Sequence, residues 1–206
     1  MLKRILSLTV IFSSLFVTSA FAEVAEETAY ILNSFLFLVS GFLVMLMALG
    51  FCLLESGMVT SKSVSAIAAK NIGLYSISGI MFWLVGYNLA YGIPEGGYIG
   101  SFTTWTDGSA LADGYSASSD WFFQMVFCAA TASIVSGTLA ERIKIWPFFL
   151  FAAILTGIIY PIEMGWQWGG GWLSAAGFSD FAGSTLVHGA GGAAALAGAI
   201  VLGPRL

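Results

Sequence analysis

Charge is the first thing this sequence lacks. Of 206 residues, only 9% are Asp, Glu, Lys or Arg, against roughly 25% in soluble globular domains, and that excludes a soluble domain of ordinary composition. Histidine is reduced to one residue, His188. Cysteine is reduced to Cys52 and Cys128, far apart and each inside an apolar run. Such cysteines read as small buried hydrophobes, and they exclude both a disulfide framework and a zinc set. The chain has no phosphate loop, nucleophile elbow or cofactor motif. One imidazole and one nearby carboxylate, Asp180, supply neither a nucleophile nor a metal set, so an enzyme is the least supported class. The net charge of −4 is too small to specify a nucleic acid or another strongly charged partner.

What is present is apolar sequence in long runs. Lys3 and Arg4 precede a short apolar stretch, Ile5 to Val17, followed by the small-x-small site Ala20-Phe21-Ala22. This pattern predicts a secretory signal peptide over residues 1–22, with the mature chain starting at Glu23 outside the cytoplasm. The alternative, a first transmembrane helix, needs a longer apolar run. Five apolar segments follow, at about 31–54, 66–92, 121–140, 146–164 and 183–203, each near the length needed to cross a bilayer. They are apolar all round, without the polar stripe of a surface helix. The predicted fold is therefore an all-α, polytopic bundle of five transmembrane helices.

The few charges fix its orientation. Beyond the leader, the basic residues are Lys62, Lys70, Arg142, Lys144 and Arg205. With five spans and an external N-terminus, all fall on the cytoplasmic side. Glu23, Glu26, Glu27, Glu95, Asp107, Asp113, Asp120 and Asp180 fall on the outer side, as the positive-inside rule requires. Glu55 and Glu163 are expected to snorkel to the interfaces, and Glu141 and Arg142 to form an interfacial turn, paired with each other. The last span, rich in Gly and Ala from Gly189 to Ala199, is suited to close packing within a bundle.

Several residues could carry chemistry. His188 lies inside the last span, where an ionisable group faces a pathway or makes an interhelical hydrogen bond. Asp180 precedes that span and reads as its N-cap, while also making the outer mouth electronegative. Trp168 is followed by three glycines; it belongs either to an interfacial belt or to a site where an uncovered indole face attracts cations. Phe122, Phe123 and Phe127 open the third span and face either lipid or an inward constriction. Together these suggest a cation recruited at an acidic, aromatic vestibule above a dry path. A small cation entering such a path neutralises more readily than it stays charged.

The stretch from Asp180-Phe181-Ala182-Gly183-Ser184 through His188 and Gly191-Gly192 to Gly203-Pro204-Arg205, with Trp168 to Gly171, Phe123-Gln124, Phe127 and Leu139 to Arg142 upstream, resembles the ammonium transporter family (Amt/Mep/Rh). The resemblance implies ammonium transport, with ammonia passing a hydrophobic, histidine-lined pore. It implies Trp168 and Phe127 as the recruitment site, Phe127 and Phe123 at the gate, His188 as the first of two pore histidines, and Asp180 as a vestibule residue acting without direct contact. It further implies the inner (plasma) membrane, methylammonium as a substrate analogue, a homotrimer and a PII-type regulator. Family members have about eleven spans in an inverted repeat, so residues 23–206 are expected to be the N-terminal half of a longer transporter. The alternatives are an ammonium sensor signalling through another domain, or an inactive fragment lacking half the pore. Glu163 near the mouth departs from many relatives.

Overall fold

The structure, a computed structural model, describes residues 24–205; the expected signal peptide lies outside them. Every regular element among these residues is helical. Five helices are long and apolar enough to cross a membrane: α1 (Glu26–Met58), α2 (Ser61–Tyr91), α3 (Ala117–Leu139), α4 (Ile145–Gly165) and α5 (Ser184–Leu202). A helix is the natural state of such runs, because it satisfies every backbone group inside the segment where no water is available. Helix α1, at 33 residues, would be about 50 Å long. It exceeds the apolar core of a bilayer, about 30 Å, so its ends must tilt or protrude. Glu26 and Glu27 in its first turn favour that end through the helix dipole.

Helix α3 is the centre of the bundle, packed on one side against α1 and on the other against α5. Small residues permit both approaches. Gly41 of α1 lies where a methyl group would strike the Phe122 ring, and Gly198 of α5 where it would strike Leu139. The core against α3 includes Phe82, Val126, Tyr160, Met164 and Val187. The opposite face of α5 is uncovered among the described residues, with Ile200 and Val201 74% and 82% exposed. Outward residues of α1, including Phe35, Leu43 and Leu53, are likewise exposed, as a lipid-facing surface requires.

Three of the five spans contain a wider, π-helical turn: Phe82–Gly86, Leu155–Ile159 and Ser184–Gly189. The basic residues gather at one end of the bundle, as the charge pattern predicts. There Arg142 Nη1 donates to the Gly203 carbonyl, and Arg205 donates to the carbonyls of Met58 and Gly137.

Two details at this end differ from the sequence expectations. Glu55 does not snorkel: it is 3% exposed, and Lys70 Nζ lies 3.0 Å from its Oε2. Lys70, equally buried, also donates to the Ser136 carbonyl, while Ser136 Oγ donates to Glu55. The pair meets because α1 and α2 form a tight antiparallel turn against α3. Glu141 does not pair with Arg142. It accepts from the Thr60 backbone N–H and hydroxyl, and these bonds hold its carboxyl below the ordinary range. Its φ of 61° is the left-handed conformation that turns α3 into α4.

Candidate functional site

The site is built first by the period of α3. Asp120, Phe123, Gln124 and Phe127 are spaced i, i+3, i+4 and i+7, so they share one helix face. All four line a cavity of about 540 Å³ at the end of the bundle opposite the basic residues. Phe122 does not; its ring packs on Phe42 of α1 at 5.3 Å. The sequence left the direction of the three phenylalanines open, and the structure sends Phe123 and Phe127 inward and Phe122 between helices. Their rings meet edge to face, with centroids 5.1 Å apart.

The loop after α4 brings Trp168 to the same cavity, 5.8 Å from Phe127 between ring centroids. The glycines that follow permit this: a methyl group on Gly169 would collide with the Ala90 carbonyl at the end of α2. The indole N–H donates to the Asp180 carbonyl at 2.6 Å, which fixes the ring's orientation.

The N-cap position of α5 is Gly183, and Asp180, three residues earlier, does the capping that the N-cap reading predicts for it. Its Oδ1 accepts from the N–H groups of Gly183 and Ser184, and its Oδ2 from those of Thr185 and Leu186. Burial alone would raise its carboxyl, but these four bonds outweigh burial and hold it below the ordinary carboxylate range. The carboxylate is buried and is not part of the cavity lining. Gly183 is required here twice over. Its φ is +84°, and a side chain would press on Val187 and on the far edge of the Trp168 ring.

His188 follows within the first turns of α5, about 6 Å beyond Ser184 by helical rise. Its backbone N–H bonds the Gly183 carbonyl five residues back, the widened π-type turn. Neighbouring Val187 is buried against α3, whereas His188 lies on the uncovered face. The structure thus brings Trp168, Phe127 and Phe123 into one cavity, ties Asp180 to Trp168, and sets His188 on the helix that Asp180 caps.

The sequence pattern of the Ammonium Transporter Family matches residues 35–206. The chain belongs to the ammonium transporter family. It is 40% identical over 199 residues to the ammonium transporter Amt2 of Archaeoglobus fulgidus, covering 90% of this chain and 42% of that protein. Among solved structures, a sensor Amt protein superposes with a TM-score of 0.77 at 37% identity, over 84% of this chain and 44% of that one. Candida albicans Mep2 superposes with a TM-score of 0.74 at 26% identity, over 89% and 42%. This member of the family is a multi-pass membrane protein, and it spans about two-fifths of the length of the relatives it matches.

Residues that the sequence reading did not place in the site also line the cavity, among them Phe37, Tyr87, Tyr91, Tyr115 and Asp120. Asp120 was legible as an outer acid only. The usable signal was its spacing to Phe123 and Phe127. Tyr115 lies outside the spans; burial pushes its hydroxyl up, and the charges of Asp120 and Asp113 add to the effect. The tyrosines of α2 gave no such signal, since their approach depends on how α2 packs against α3.

Proposed function

We propose that the full-length protein transports ammonium across the inner (plasma) membrane. Ammonium is recruited in the aromatic vestibule at Trp168 and Phe127, and ammonia passes Phe123 and Phe127 into a path along His188. The observation that carries this reading is the convergence of Trp168, Phe127 and Phe123 on one cavity. Beside it, the Trp168 indole is fixed to Asp180, the residue that starts the His188 helix.

The physical logic runs from outside to inside. An indole face attracts a cation by about 0.5–2 kcal/mol, more when water is excluded. Phe123 and Phe127 give that end of the cavity aromatic walls, and an unpaired charge taken past them would cost several kcal/mol. Transfer of a proton from ammonium to water at the mouth of the vestibule leaves neutral ammonia, which can cross such walls with an imidazole as hydrogen-bond partner. Asp180 is a positioning residue in this scheme, acting through the indole and the helix cap.

Growth of a transporter-deficient host on limiting ammonium tests the reading and separates transport from sensing. The gene's full product should rescue growth, and His188→Ala should change the uptake rate or its selectivity while the protein remains in the membrane. A product that inserts but supports no growth would contradict transport. By the N-terminal pattern of Lys3 and Arg4, a short apolar stretch and Ala20-Phe21-Ala22, cleavage falls behind Ala22 and leaves the N-terminus outside, so N-terminal sequencing should begin at Glu23; a retained Met1 would contradict it. The assembly is a homotrimer regulated from the cytoplasm by a PII-type protein. A monomeric native mass would contradict the first, and no binding to a purified PII protein the second.

A further inference from the structure

The vestibule contains a carboxylate whose charge nothing in the fold balances. Asp120 is 6% exposed, yet it lines the cavity shared with Trp168 and Phe127. Its Oδ2 accepts one bond, from the Tyr87 hydroxyl at 2.6 Å, and its Oδ1 one bond, from Gln124 Nε2 at 3.1 Å. A carboxylate offers about four acceptor positions, so roughly half of them remain open beside the cavity.

The contrast with Asp180 is instructive. Asp180 distributes its charge over four backbone N–H groups at a helix start. Asp120 stands in the first turn of α3 but takes no backbone N–H on its carboxylate. No lysine or arginine lines the cavity, and among the described residues every basic side chain belongs to the opposite end of the bundle. A buried carboxylate held by two neutral donors, in a cavity walled largely by aromatic rings, has the chemistry to receive a cation that carries N–H donors.

We infer that Asp120 is the counter-ion of the cation recruited in the vestibule, binding ammonium or a primary alkylammonium through its open carboxylate positions opposite the π faces of Trp168 and Phe127. This rests on the transport reading above and adds to it a specificity-determining residue. A carboxylate selects ions that carry N–H donors, whereas an aromatic face accepts any soft cation. Asp120 therefore favours ammonium and methylammonium over tetramethylammonium, which has the same charge and no N–H.

The test is methylammonium uptake by the full-length protein, with tetramethylammonium as competitor. Asp120→Asn keeps the shape and removes the charge. It should raise the half-saturating methylammonium concentration at least about tenfold, with the maximal rate per inserted protein within about twofold. Tetramethylammonium should compete relatively better in this variant than in the wild type. Tyr87→Phe removes one hydrogen bond but leaves the charge, and should shift half-saturation by less than about threefold. Half-saturation does not depend on how much protein reaches the membrane, so weak expression does not obscure the result.

An unshifted Asp120→Asn overturns the inference. So does a Tyr87→Phe shift equal to that of Asp120→Asn, which would make the pair a structural hydrogen bond. Absence of Asp120→Asn from the membrane also counts against it, since a counter-ion is not needed for folding. If the wild type shows no saturable uptake, the transport reading itself fails. If Trp168→Leu shifts half-saturation and Asp120→Asn does not, only the present inference fails.

Discussion

At the scale of single residues, the end of the bundle opposite the basic residues holds two carboxylates in different settings, Asp120 and Asp180. Asp180 is consumed by structure: four N–H groups and a helix start hold it in its charged form. Its folded pKa is depressed relative to an unfolded value of about 3.9. The stability it adds is therefore fully present above that unfolded value and is lost as pH falls through the lower, folded one. Replacing it with Asn removes the charge and half of the acceptors. We expect Asp180→Asn to lose about 1–2 kcal/mol near neutral pH. In detergent melts, the gap from wild type should close as pH is taken below 4. A gap that persists unchanged into strong acid would show that the cap does not depend on charge. The cap itself was legible in Asp180-Phe181-Ala182-Gly183-Ser184, because an acidic residue just before an apolar run is a helix-start signal. The bond from Trp168 to the Asp180 carbonyl was not, since nothing in the spacing says which way an indole N–H points.

At the scale of elements, the length and uniformity of the apolar runs made the five helices legible. The first run, read as 31–54, extends in the structure to Glu26–Met58, because Glu26, Glu27 and Glu55 continue a helix that an apolar count cuts short. The π-helical turns were not legible. A bond from N–H to the carbonyl five residues back leaves no mark on composition, although one such turn carries His188. The buried pair Glu55–Lys70 was missed because each residue was judged alone as an interfacial charge. Folding the two helices about the short turn at Thr60 would have brought them together. Removing one member should leave a buried charge unpaired, at a cost of about 3–5 kcal/mol. Lys70→Met should therefore be strongly destabilised in detergent melts, and adding Glu55→Met should recover part of the loss. A double variant as unstable as the sum of the two single ones would show that the pair is not energetically coupled.

At the scale of the whole molecule, the arrangement separates by polarity. Basic side chains and their carbonyl partners close one end, and a largely aromatic cavity that includes Asp120 lies at the other. The charge distribution along the sequence made that polarity legible, since every basic residue after position 22 fell on one side of five spans. The vestibule required three dimensions, because α2, α3 and the loop after α4 each contribute a wall. Its central element is Trp168, fixed by its N–H and set against Phe127.

The most direct test is methylammonium uptake as a function of concentration by the full-length protein, wild type beside Trp168→Leu. Wild-type uptake should saturate, and the half-saturating concentration should rise roughly two- to thirtyfold in the variant, the range of one cation–π contact, with recovery at saturating substrate. Equal loss at every concentration would make the indole a purely structural residue and contradict the vestibule as the place where the cation is held.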